Sequence, residues 1–151
     1  MHPAALTIRQ ATVDDLDLIV PLFDAYRQFY RLTSDPERAR QFLLDRFIYR
    51  QSIIFLAFAN DAAVGFTQLY PSFSSGAMAR ILILNDLFVS PEARRRGAGT
   101  ALLDRAAAYG RVIGAVRLAL STELTNTTAQ MVYEKAGWKR DTVFCNYQLT
   151  L

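Results

Sequence analysis

The amino-acid sequence predicts an α/β fold in a single domain, residues 1–151, with elements in the order β-α-α-β-β-β-α-β-α-β-β. Three observations lead there. Two stretches of helical periodicity follow a short β-rich start. A hairpin pattern comes next, with a turn signal at Asn60-Asp61. Then an almost unbroken apolar run, residues 81–89, feeds a glycine-containing turn that opens another helix.

Each element has its own reason. Residues 6–10 read as the first strand. Thr12 before Asp14 and Asp15 is a helix N-cap with acidic first-turn residues. Leu16, Ile19, Val20, Phe23, Tyr26 and Tyr30 then share one helical face, and Pro21 is expected to kink or split that helix. Asp35-Pro36 is a cap followed by proline at the first helical position, opening a helix to about residue 49. Residues 52–59 and 63–70 form the hairpin, and 71–76 read as a Ser/Pro/Gly loop. Residues 80–89 are apolar on both faces, which marks a central strand. A helix over 99–113, a strand over 116–120, a polar loop over 121–125 and a helix over 126–136 follow, with Gly137 as the stop. Residues 138–151 are expected to supply one or two closing strands.

Composition removes several functions. The single histidine, His2, stands at a terminus, and Cys145 is the only cysteine. A Ser-His-Asp triad, a Cys-His pair, a Cys/His zinc site and an intrachain disulfide all need more than that. Cys145 lies in an apolar segment and reads as a buried thiol. The net charge of +3 is small and partly concentrated at Arg94, Arg95 and Arg96. That suits an anion pocket better than the wide basic face of a nucleic-acid binder. No apolar run is long enough to span a bilayer and no signal-peptide pattern opens the chain, so a soluble cytoplasmic protein without metal is expected.

The turn Arg94-Arg95-Arg96-Gly97-Ala98-Gly99-Thr100 is the sharpest motif. A helix start leaves N–H groups unpaired and carries partial positive charge, and glycines there let an anion reach the backbone. A phosphate or pyrophosphate is the simplest ligand. A P-loop would need Lys-Ser or Lys-Thr after its last glycine, and a dinucleotide turn would need glycine where Leu102 stands. What remains, Arg94-x-x-Gly97-x-Gly99, resembles the acetyl-CoA signature of the GNAT superfamily of N-acetyltransferases. A second block, Asn126-x-x-Ala129 followed by Tyr133-Glu134-x-x-Gly137-Trp138, resembles the Asn, Tyr and Gly-Phe/Trp pattern of the same family. The element order resembles its fold as well, a mixed sheet with helices on both faces.

The resemblance implies roles. Acetyl-CoA would lie on the turn residues 94–100 and on the backbone of Leu87, Phe88 and Val89, with Asn126 and Tyr133 also at the cofactor. Tyr133 would donate a proton to the departing thiolate, as a phenol with an ordinary pKa near ~10 can at neutral pH.

Asn85-Asp86 is anomalous inside an apolar strand, because a buried polar group without a partner is costly. The pair is either hydrogen-bonded at a β-bulge or turned to a wet cleft. The family resemblance implies the bulge, with the central strand splayed from its neighbour beyond it. The block Asn85-Asp86-Leu87-Phe88-Val89 is similar to Glu-Asp-Phe-Phe-Val of the diamine acetyltransferases, where the glutamate helps deprotonate the amine. Asparagine cannot act as a base, so Asn85 is assigned to hold water and Asp86 is the candidate base or ammonium anchor.

Tyr26, Tyr30 and Tyr70 are the candidate substrate residues, with Asp86, whereas Phe29 reads as core. The implied activity is direct attack of a small-molecule primary amine, polyamine or amino-acid-like, on acetyl-CoA. The alternatives are acetylation of a protein or peptide amine, and an acyl-CoA-binding module without turnover. Bacterial relatives of yeast histone/polyamine acetyltransferases look alike at this level. A homodimer through an edge at residues 144–151 is also expected.

Overall fold

A computed structural model describes residues 5–151. His2 lies outside the described residues. The chain forms two compact units, residues 1–121 and 122–151.

The first unit is built on a five-stranded sheet in the order β1-β2-β3-β4-β5. Its strands are β1 (Leu6–Gln10), β2 (Ile53–Ala59), β3 (Ala62–Ser74), β4 (Ala79–Val89) and β5 (Leu118–Ala119). The first three pairings are antiparallel, and β4 and β5 run parallel. Helices α1 (Leu16–Phe29) and α2 (Pro36–Ile48) cover one face. Ile19, Val20, Phe23 and Leu43 there pack on Ile54, Leu56, Phe58, Phe66 and Phe88 of the sheet. Helix α3 (Ala98–Val112) covers the other face, where the Tyr109 and Phe55 rings meet at 5.7 Å. Gly110 lets α3 come close, since a Cβ there would stand 2.9 Å from a methyl of Leu118.

Local signals in the chain set these boundaries. Asp15 accepts from the Thr12 N–H and from both terminal nitrogens of Arg9, each at 2.8 Å, which fixes the entry to α1. Asp35 caps α2 by accepting from the Arg38 N–H at 3.1 Å. Pro21 does not split α1. It lies on the exposed side, so the Asp17 carbonyl that lacks its donor is left to solvent.

The expected loop over residues 71–76 is largely strand, because β3 runs on to Ser74 opposite Ala79. Proline fits there for a topological reason. Pro71 faces Leu82, whose N–H points away to the Arg117 carbonyl, so Pro71 sits at a position that needs no bond to β4. On its other side β2 has ended, since Ile53 pairs with Leu69.

The second unit holds α4 (Thr127–Lys135). Asn126 caps it, accepting from the Ala129 N–H at 3.2 Å. Gly137 ends it at φ +96°, with Gly137 N–H bonded to the Glu134 carbonyl and Trp138 N–H to that of Tyr133. These two bonds make a Schellman stop, and the Tyr133 and Trp138 rings stand 6.1 Å apart across it.

The expected closing strands are not found: residues 139–151 form no ladder among the described residues. The Asp141 carboxylate takes the N–H groups of Val143 and Phe144 at 2.9 and 3.0 Å, a local turn that competes with strand pairing. Cys145, expected to be buried, is exposed in this segment.

Gly65 tests the packing beside the site. A Cβ there would stand 2.8 Å from the Phe88 carbonyl oxygen, a backbone atom that cannot rotate away. Gly65→Ala should therefore destabilise by about 1–3 kcal/mol, the usual cost of overpacking, read as a lower urea midpoint with unchanged slope. A variant as stable as wild type would show that β3 and β4 separate there freely.

Candidate active site

The site is organised by one extra residue in β4. Gln68 pairs with Asp86 and Leu69 with Leu84, so Asn85 has no opposite number on β3. Side chains alternate along a strand, and one inserted residue reverses that alternation. Asp86 consequently shares the α1–α2 face with Gln68. Asn85 stays on the exposed rim and donates its amide to Asp86 Oδ1 at 2.9 Å. Of the two readings open for the polar pair, the bulge is what the chain adopts.

Asp86 is 2% exposed. Gln68 Nε2 donates to its Oδ2 at 2.5 Å, and Tyr26 completes the set of donors. Every one of these donors is neutral. Burial without a cation pushes the Asp86 carboxyl above its ordinary range, and the three hydrogen bonds only partly oppose that. Burial and then the Asp86 charge raise Tyr26 in turn, and push Tyr70 up to about 12. The Tyr26 hydroxyl also donates to the Asn85 carbonyl at 3.4 Å, and its ring meets Tyr30 edge-on at 5.1 Å. Tyr26, Tyr30, Tyr70, Asn85 and Asp86 therefore stand near one another. Phe29 does not join the core: it is 52% exposed, with the Arg94 guanidinium 5.4 Å from its ring centre.

Gln68 is the residue that sequence reasoning missed. It is fully buried beside Asp86. A glutamine between Phe66 and Leu69 in a strand is the same anomaly that marked Asn85-Asp86, and it could have been read the same way.

Beyond the bulge, β4 has an open edge. Its pairing with β5 covers only Leu82 and Ile83. The Ser90 N–H bonds to the Val64 carbonyl, so Ser90 faces β3, and by alternation Val89 and Leu87 turn their backbone groups outward. The Phe88 side chain is in the core. Arg94 Nε donates to the outward Val89 carbonyl at 3.0 Å and braces the end of the strand. Arg95 and Arg96 are exposed.

The turn then opens α3. Arg95 and Gly97 both have positive φ, +66° and +84°. The first helical bond at this end is from the Ala101 N–H to the Gly97 carbonyl, which leaves the N–H groups of Ala98, Gly99 and Thr100 ahead of it. A Cβ added at Gly97 or Gly99 would meet nothing within 4 Å. Internal packing does not call for either glycine. Open space over a helix N-terminus fits a pyrophosphate, which such a Cβ would obstruct.

A model of the acetyltransferase (GNAT) family matches residues 19–138. The chain belongs to that family. It is 48% identical, over 97% of its length and 98% of the other's, to the uncharacterized N-acetyltransferase YhfO of Bacillus subtilis. A crystal structure of a probable acetyltransferase superposes with a TM-score of 0.92 at 46% identity, covering 96% of this chain and 97% of that one. The fold also matches an aminoglycoside N-acetyltransferase in complex with CoA, with a TM-score of 0.83 at 20% identity, covering 99% and 98% of the two chains. This is a GNAT N-acetyltransferase, with the family's mixed sheet and the family's acetyl donor, acetyl-CoA. Among the described residues no helix is long and apolar enough to cross a membrane.

Two variants probe the two ends of the site. Gly99→Leu should keep the fold, since its backbone is helical and a Cβ meets nothing, yet weaken CoA binding by about tenfold or more through the blocked amides. Unchanged calorimetric affinity would move the pyrophosphate elsewhere. Asp86→Asn probes the other end through pH. The folded carboxyl titrates above its ordinary 3.8, so the folded state keeps its proton longer than the unfolded state does. Stability from this group is complete below 3.8 and falls as pH rises towards the raised value, then stays level. Wild type minus variant, from urea unfolding across the acid range, should fall with rising pH. A difference that grows with pH would contradict the burial of this charge.

Proposed function

We propose that this enzyme acetylates the primary amine of a small molecule, a polyamine or an amino-acid-like amine, by direct attack on acetyl-CoA. The observation that carries the reading is the open edge of β4. It runs from the outward backbone of Leu87 and Val89 to the α3 N-terminus, and begins beside Asn85, whose carbonyl the Tyr26 hydroxyl reaches. An extended pantetheine arm can pair with such an edge as an added strand would.

Acetyl-CoA supplies an activated thioester. The chain supplies the rest. Amides of Ala98, Gly99 and Thr100 hold the pyrophosphate, and a backbone N–H near Leu87 polarises the carbonyl as negative charge develops. An alkylamine with pKa near ~10.4 is protonated at neutral pH and must lose a proton before it can attack. Asn85 cannot take it. Asp86 can, through the Tyr26 hydroxyl: the phenol accepts a proton from the ammonium while passing its own to the carboxylate. The family resemblance assigns Tyr133 as the group that gives a proton to the departing sulfur. Asn126 spends its Oδ1 on the α4 cap and retains its amide N–H groups for the cofactor arm. The family match spans both blocks, which supports one domain acting with both.

Thiol release from acetyl-CoA across a panel of amines tests this directly. Release that depends on a small primary amine is expected. Tight CoA binding with no release on any amine would leave a binding module, and release on peptides alone would leave a protein acetyltransferase.

Tyr133→Phe separates the proton donor from packing. The turnover number should fall by about 10²-fold, the lower end of general-acid help, because a thiolate with pKa near ~8.5 already leaves well. CoA affinity should change little. Wild-type turnover in a folded variant would reduce the mechanism to proximity.

A further inference from the structure

Near Tyr70 stands a cation for which a polyamine has no use. Arg46, in the last turn of α2, holds its guanidinium 4.4 Å over the Phe42 ring. Its Nε is buried and has no hydrogen-bond partner. Phe42 stacks on Phe23 at 5.8 Å, and Phe23 meets Tyr26 at 6.2 Å. Arg46 is thereby connected, ring by ring, to the side chain that touches Asn85 and Asp86. Tyr70 feels both charges, the carboxylate of Asp86 raising its pKa and the guanidinium of Arg46 lowering it. Arg46 and Asp86 form no ion pair among the described residues. Beside Asp86, the Oε1 of the fully buried Gln68 also lacks a partner.

Two unspent groups of opposite need therefore remain, a donor on a cation and an acceptor next to an anion. Native interiors rarely leave such groups bare, and a bound ligand is one way to complete them. We infer that the amine substrate carries a carboxylate, as a zwitterionic amino acid does, and that Arg46 is the residue that binds that carboxylate. This rests on the N-acetyltransferase reading above and narrows it.

The chemistry is specific. The Nε–H and one Nη–H of an arginine form a side-on fork that matches the two oxygens of a carboxylate, which a lysine cannot reproduce. The ammonium end would lie towards Tyr26 and the Asn85 carbonyl, above the negative charge of Asp86. A diamine placed the same way would set its second cation against Arg46, a like-charge contact that disfavours it.

The test uses the whole chain and thiol release, with amino acids, their methyl esters and a diamine of similar length. Wild type should prefer the free acid over its ester by about 10–100-fold in kcat/KM, the weight of hydrogen bonds to a charged group. The diamine should be poorer still. Arg46→Gln should bring the acid-to-ester ratio close to unity, mainly through KM, and Arg46→Lys should restore part of it. A ratio near unity in wild type, or one retained in folded Arg46→Gln, would overturn the assignment while leaving the acetyltransferase reading standing. Turnover on no amine at all would overturn both. The wild-type ratio decides the matter even if the variants fail to fold.

Discussion

The one-residue insertion at Asn85 is the constraint on which the site depends. Below it, Leu82 and Leu84 serve the α3 face of the sheet. Above it, Asp86 and Phe88 serve the α1–α2 face, and Leu87 and Val89 direct their backbone outward. A regular strand of the same composition would point Asp86 at α3. The bulge therefore does two things with one residue: it turns a carboxylate to the α1–α2 face and leaves the backbone of Leu87 and Val89 pointing away from β3. Gly65, pressed against the Phe88 carbonyl, keeps β3 close enough for the ladder to resume beyond the irregularity.

Holding Asp86 there costs stability, and its surroundings limit that cost without removing it. Gln68, Asn85 and Tyr26 donate to the carboxylate, and the Thr67 hydroxyl donates to the residue's own carbonyl at 2.8 Å. None of them brings a positive charge. An arginine in contact with the carboxylate would have made an ion pair and held its pKa down. Neutral donors fix the position of the carboxylate while burial raises its pKa. The arrangement exchanges some stability for a carboxyl held above its ordinary range.

Much of the fold could be read from the chain because its signals are local. Caps at Thr12, Asp35 and Asn126 and the stop at Gly137 fall within a residue or two of the element ends. Polar residues in an apolar strand marked the bulge. The failures are all cases where a partner elsewhere decides. Residues 71–74 look like a loop by composition, yet β4 supplies a partner and β2 stops in time to admit Pro71. Residues 138–151 are expected to close the sheet, yet no partner among the described residues pairs with 139–151. Phe29 falls on a helical pattern but past the point where the sheet is there to receive it, and it meets Arg94 instead.

The same distinction separates the two ends of the active site. The proposed cofactor end would be recognised by backbone: amides at a helix start, outward groups of a strand, and glycines that leave room for them. Such a surface is written in a short contiguous motif, so the family can be read from a few residues between Arg94 and Gly99. The proposed acceptor end would be recognised by side chains from α1, α2, β3 and β4, residues far apart in sequence and unremarkable one by one. Arg46 is an ordinary arginine in a charged helix until Phe42 and Tyr70 are seen around it. Gln68 is a single polar residue until it is found opposite Asp86. Within a family that keeps its donor constant, acceptor specificity can change by substitution at such scattered positions without touching the motif. That is why the family of this chain follows from its sequence, while a proposal about its amine has to be argued in three dimensions.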